Sequence, residues 1–205
     1  MKNYGFGEKQ VKEFKGFPLS ECVDNVTLES VEYCSGDNYE AIDFNYTRPG
    51  GDRLRDRMFE VNEENIKPRG EMSLEDSIKN AYVQFNTRLW HIADAFQIDR
   101  DEINDACTGH KTFKAFAKAY AKMISEGSAG KLVMVKTIRA KKGFINLPMF
   151  PKFVQSADEK CTLEWSDYEK KANIKNSKPT ESVEKAAGSA DEPGLDDDEW
   201  LDNDL

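Results

Sequence analysis

Between Val26 and Val61 the chain carries three β-rich runs and only two short turns, which leaves an antiparallel meander as their arrangement. In Val26–Cys34 (VTLESVEYC), Val26 and Leu28 alternate, then Val31 and Tyr33. The slip of the alternation near Ser30 predicts a β-bulge. Ser35-Gly36-Asp37-Asn38 reads as a turn. From Tyr39 to Tyr46 the period of two puts Ile42, Phe44 and Tyr46 on one face and Tyr39, Ala41, Asp43 and Asn45 on the other. Arg48-Pro49-Gly50-Gly51-Asp52 is the second turn, and Arg53–Val61 the third strand.

A helical block follows. Ser73 can cap a helix with Asp76 at its third position. Leu74, Ile78, Ala81, Tyr82, Phe85, Leu89, Ile92, Ala93 and Phe96 recur in steps of three and four, which predicts one amphipathic helix of about seven turns. A shorter helix starts near Asp99 or Asp101. Thr112–Glu126 predicts a third, with Phe113, Phe116, Ala117, Tyr120 and Ile124 on one stripe, ended by Gly127-Ser128-Ala129-Gly130. Strand character returns at Lys131–Ala140, turns at Lys141-Lys142-Gly143 and resumes at Phe144–Leu147. Pro148–Phe153 reads as an irregular apolar segment over a barrel mouth, and Leu163, Trp165 and Tyr168 as the completion of the core.

The order β-β-β, helices, β-β, tail describes a mostly β fold with a helical insertion, in class α+β. The expected form is a five-stranded barrel like the OB-fold, with helices between the third and fourth strands. The insert, at about 73–126, exceeds that fold's usual helix, and an α+β domain with an open five-stranded sheet reads the same way. One domain over 1–175 and a tail over 176–205 account for the 205 residues.

The tail is set apart by charge. It holds ten acidic residues and two lysines, whereas 1–175 hold 27 basic and 28 acidic residues. The formal net charge of -9 is therefore a property of the tail, and a near-neutral body leaves nucleic-acid binding open. The tail is expected to be disordered, since it has too little apolar surface to offset its ordering entropy. Its tip is different: Asp196, Asp197, Asp198 and Glu199 lead into Trp200 and Leu201. An acidic run carrying an aromatic anchor has the form of a docking peptide, the alternative being a plain solubilising tail.

No stretch approaches the ~18 apolar residues of a membrane span. The opening MKNYGFGEKQVKEF has no apolar run, so a soluble, cytoplasmic chain is expected. Cys22, Cys34, Cys107 and Cys161 are scattered, with no C-x-x-C, which points to reduced thiols and no metal site. Phosphate-cradling, dinucleotide, nucleophile-elbow and zincin motifs are all missing, so neither an enzyme nor a cofactor is expected. A metal nuclease would have to converge carboxylates such as Asp43, Asp56 and Glu60, of which Asp56 and Glu60 fall on the strand face read as less exposed.

The residues that point to a function are cations and rings. Arg53, Arg55, Arg57 and Phe59 share one face of the third strand. Three like charges in a row gain nothing from packing and suit an anion; the alternative is a solvated face with acidic cross-strand partners such as Asp43. Lys131–Phe153 holds six basic residues, among them Lys136, Arg139, Lys141 and Lys142, and no acid. Tyr39 and Phe144 point outward if Ile42, Phe44, Ile145 and Leu147 point inward. Outward rings among cations make a stacking groove for single strands; Tyr39, Phe59 and Phe144 are either that or core.

The chain resembles phage-type single-stranded DNA-binding proteins. The resemblance lies in NVTLESVEYC and YEAIDFNYTRPGGDRLRDRMF, in the returning hairpin KLVMVKTIRAKKGFINLPMFPKF, and in the acidic terminus DDDEWLDNDL, about half the chain in all. It differs in its large helical insert and in ending on Leu205 with Trp200 inside. The resemblance implies an OB-fold that binds single-stranded DNA in replication, recombination and repair. It also implies an acidic terminus that contacts replication partners such as a polymerase, primase or helicase and competes with DNA for the groove. A homo-oligomer is left open. A protein-interaction adaptor without nucleic-acid binding is the rival reading, and a nuclease the third.

Overall fold

The computed structural model describes residues 23–49, 51, 53–68, 70–139, 145–149 and 152–177. The meander forms as the alternation requires: β1 (Val23–Ser35), β2 (Glu40–Thr47) and β3 (Arg53–Phe59) pair antiparallel in chain order. The register of β1 on β2 shifts between Leu28 and Ser30, the bulge read from the sequence. The second turn closes with the Gly51 N–H donating to the Arg48 carbonyl at 3.0 Å; Gly51 has φ +86°, a conformation costly to any residue with a Cβ.

Three helices follow, each begun by a side-chain cap. Ser73 accepts from the Asp76 N–H before α1 (Leu74–Ala95), Asp99 from Asp101 and Glu102 before α2 (Arg100–Cys107), and Thr112 from Ala115 before α3 (Phe113–Ser128). Strands β4 (Leu132–Lys136) and β5 (Ile138–Arg139) are split at Thr137, and β6 (Ile145–Asn146) pairs with β5. After β7 (Val154–Ser156), helix α4 (Asp167–Ser177) ends the described chain.

The result is an α+β fold with one open antiparallel sheet, in the order β3-β2-β1-β4-β7, and a separate β5-β6 ladder. Among the described residues these ladders do not close into a barrel by hydrogen bonds, although β6 lies against β3. Val26, Val31, Ile42, Phe44, Tyr46, Leu54, Met58, Val133, Val135 and Val154 are buried on the inner face. Helix α3 packs on β1 and β2, with Tyr120 edge-on to Phe44, and α1 packs on β7. Burying each large apolar side chain contributes about 1.5–3 kcal/mol, which makes this inner layer the main source of stability.

Some expectations are corrected. Strand β7 joins the edge of β4 where no strand was expected, because three residues with Gln155 in the middle carry no readable alternation. The apolar stripe of α1 enters the core only in its second half: Leu74 and Tyr82 are exposed, whereas Leu89, Ile92, Ala93 and Phe96 are buried. Leu163 is buried and Trp165 half-buried, but Tyr168 is 69% exposed and does not belong to the core. Among the described residues no helix is long and apolar enough to cross a membrane.

Candidate functional site

The outer face of the meander carries the chemistry. Along β3 the exposed or half-exposed positions are Arg53, Arg55, Arg57 and Phe59, while Leu54, Asp56 and Met58 are buried, so the period of two holds without a slip. The β2–β3 register sets Thr47 opposite Arg53, Asn45 opposite Arg55, Asp43 opposite Arg57 and Ala41 opposite Phe59. Ala41 is small, which leaves room for the Tyr39 ring to reach Phe59. The two rings meet edge to face, centroids 5.5 Å apart, and remain 36% and 39% exposed. Two large rings in mutual contact and open to solvent are the least ordinary feature of this surface.

The arginines beside them differ in state. Arg57 donates from Nε and Nη2 to the two Asp43 carboxylate oxygens at 2.7 and 2.8 Å, and from Nη1 to the Tyr39 hydroxyl at 3.0 Å. Its guanidinium carbon lies 5.2 Å from the Tyr39 ring centre. Burial pushes the Asp43 carboxyl up, but the hydrogen bonds and charge of Arg57, with Arg55 behind it, reverse this and leave it below its ordinary value. Arg53 pairs with Glu29, the residue the bulge adds to β1, at 2.9 Å. Both partners are exposed, so the pair is worth about 0–1 kcal/mol and an incoming anion can displace it. Arg55 is exposed and makes no ion pair with a described residue. Two of the three arginines therefore have the cross-strand acidic partners that the solvated-face reading foresees.

The remaining sites divide. Lys136 is not on this surface: it is 5% exposed, and its Nζ donates to the Glu164 carbonyl and the Glu169 carboxylate, each at 3.0 Å. The physical reason is the chain after β7, which covers that part of β4 and is held there by Trp165 Nε1 donating to the Thr137 carbonyl at 2.9 Å. Arg139 lies half-buried on β5, its main-chain N–H donating to Asn173 Oδ1 at 2.6 Å. The β5–β6 ladder is separate from the sheet that carries Tyr39 and Phe59. Lys141, Lys142 and Phe144, and the tail residues Asp196, Asp197, Asp198, Glu199, Trp200 and Leu201, lie outside the described residues.

The carboxylates of the nuclease reading do not converge. Asp43 is on the outer face with Arg57, whereas Asp56 is on the inner face with Arg88, at 2.7 Å. Among the described residues no group of three His, Cys, Asp or Glu side chains could hold a metal ion.

His91 has a structural task. Its Nε2 accepts from the Phe153 and Val154 N–H groups at 3.1 and 3.4 Å, stapling α1 to the start of β7. Burial pushes its pKa down to about 4, with Arg88, Lys152 and Lys136 adding to the effect and Asp94 opposing it. The unfolded chain takes up this proton near its ordinary value of 6.5 and the native chain only near 4. The stability tied to the neutral imidazole is therefore complete above about pH 6.5 and is lost progressively as pH falls toward 4. As pH falls through this range, the melting temperature of the unaltered protein should drop relative to that of His91→Gln, whose amide oxygen can accept the same bonds without taking up a proton. A constant difference from pH 7 to 4 would show that His91 does not couple to protons.

Glu29 and Arg88 carry parts of this architecture that local sequence patterns do not mark, and Gly36 has a role beyond the turn read from the sequence. A register drawn from the two turns is the signal for the Asp43–Arg57 pairing; nothing local marks the role of Arg88 or the contact of Gly36 with the Tyr39 ring. No family model matches the chain, and no curated protein matches it.

Proposed function

We propose that the chain is a sequence-independent single-stranded DNA-binding protein, with bases stacked on Tyr39 and Phe59 and phosphates met by Arg55 and, after release from Glu29, by Arg53. The observation that carries the reading is the exposed edge-to-face pair Tyr39–Phe59 beside these arginines on the outer face of β2 and β3. Base–aromatic stacking is worth about 1–3 kcal/mol per base and does not depend on base identity. An OB-like barrel is the finer form of the fold in this reading. What supports it is strand order: β1 pairs with both β2 and β4, three helices lie between β3 and β4, and β6 comes back against β3.

Lys141, Lys142 and Phe144 belong to the reading as the cations and the ring that the sequence places between β5 and β6. The acidic tip with Trp200 and Leu201 is the element proposed to dock replication partners. The adaptor reading draws on the Asp43–Arg57 and Glu29–Arg53 pairs, which lower the net positive charge of the face.

Binding of a labelled oligo-dT over a range of salt separates the two. Affinity that falls steeply with salt is expected. No binding at about 50 mM salt would abolish the single-strand reading. In the same assay, Lys141→Glu combined with Lys142→Glu should weaken binding and flatten the slope of log K against log salt by up to about 1.4, since each phosphate contact on a single strand contributes about 0.7. An unchanged slope in the folded double variant would move the phosphate contacts elsewhere.

A further inference from the structure

We infer, on the single-strand reading above, that Gly36 and the Asp43–Arg57 ion pair are positioning residues for the Tyr39 ring, and that Arg57 acts on a bound strand through this ring and not through a phosphate.

The Tyr39 ring is held from several directions. Phe59 stands edge-on to it at 5.5 Å. Arg57 lies over it and also bonds its hydroxyl. Gly36 underlies it: a Cβ added there would come within 2.5 Å of Tyr39 Cε1 and 3.0 Å of Cζ. No side chain fits without pushing the ring off its seat. Gly36 has no positive φ, so the glycine is needed for this close approach and not for its backbone freedom. Its N–H donates to the Tyr39 carbonyl at 3.0 Å, which closes the turn under the ring.

Arg57 is committed in the same way. Three of a guanidinium's five N–H donors are taken by Asp43 and Tyr39. Asp43 is buried and sits directly opposite on β2, so the pair is fixed by the register of the sheet and its net charge is zero. A neutral pair releases few counterions when a strand binds. A ring already held in one orientation loses little rotamer freedom at that moment, so it gives more of its stacking energy to binding.

The test uses the full-length protein and a fluorescent oligo-dT titrated between about 50 and 200 mM salt, for Gly36→Ala, for Asp43→Asn combined with Arg57→Gln, and for Tyr39→Ala as reference. The paired variant keeps the net charge. Tyr39 ring NOEs to the Gly36 Hα protons, and to the side chain at position 57, are recorded in parallel, with circular dichroism as the check on folding. Gly36→Ala and the paired variant should each weaken binding about fivefold or more, toward the loss in Tyr39→Ala, with the salt slope unchanged and the ring NOEs altered. A slope shallower by about 0.7 in the paired variant makes Arg57 a phosphate contact and overturns the inference. So does unaltered affinity in a folded Gly36→Ala when Tyr39→Ala binds weakly. Failure of the single-strand reading looks different: the unaltered protein then binds no oligonucleotide, and the positioning role falls with the site even if the NOEs show the ring seated.

Discussion

Arg88→Met should lower the free energy of unfolding by about 3–5 kcal/mol, the loss expected when one partner of a buried ion pair is removed and the other stays as an uncompensated charge. Arg88 reaches from α1 to Asp56 on β3 and to the main chain at Pro148 and Met149. Its Nη2 donates to both Asp56 oxygens at 2.8 and 2.7 Å, and its Nη1 to the carbonyls of Pro148 and Met149. Its guanidinium carbon stands 4.1 Å from the centre of the Phe153 ring. One side chain thus joins the helical insert to β3 and to the segment before β7. Without it Asp56 is left buried beside Tyr46, whose hydroxyl is also buried and has no hydrogen-bond partner among the described residues. Burial, and then the Asp56 charge, already push the Tyr46 phenol above its ordinary value.

Arg88→Met combined with Asp56→Leu should recover part of the loss, because the stranded charge is gone while the two carbonyls remain without their donor. Urea midpoints of the two variants decide it. A single variant no less stable than the double would show that Asp56 finds water or another partner, and that Arg88 is not the tie between the layers.

Tyr39→Ala and Phe59→Ala should each weaken oligo-dT binding by about 1–3 kcal/mol, roughly 5- to 150-fold, with the salt slope nearly unchanged. Stacking moves few counterions, so the loss belongs to contact and not to charge. Both rings are more than a third exposed, so their removal should cost the fold far less than removal of Phe44 or Phe153, which are wholly buried. Binding measured beside thermal unfolding separates the two roles. A large fall in melting temperature with unchanged affinity per folded molecule would return both rings to the core and remove the stacking surface.

Much of this architecture is legible in the chain itself. The alternation of Ile42, Phe44 and Tyr46 against Tyr39, Ala41, Asp43 and Asn45 is a local property of a strand, and, although Ala41 and Asp43 on the other face are buried as well, the inner face follows it. So do the bulge near Ser30 and the three helix starts at Ser73, Asp99 and Thr112, since a cap needs only a side-chain oxygen and a nearby N–H. The exposure of Arg53, Arg55, Arg57 and Phe59 on one face needs nothing beyond the period of two. Long-range partners are different. Whether an arginine on a strand meets an anion or a carboxylate depends on which strand lies beside it and in what register, and Arg57 meets Asp43.

Lys136 reads as a free cation in a basic stretch, yet the chain more than twenty residues later folds back over it and supplies Glu169. Arg88 sits on a helix whose pattern marks it as surface, and only the approach of β3 and of Pro148 turns it inward. Periodicity, caps and turns were determined by the sequence because they arise among residues a few positions apart. The pairing of charges, the seat of Tyr39 on Gly36 and the open edge taken by β7 were decided by the tertiary structure, because each depends on segments that become neighbours only when the chain has folded.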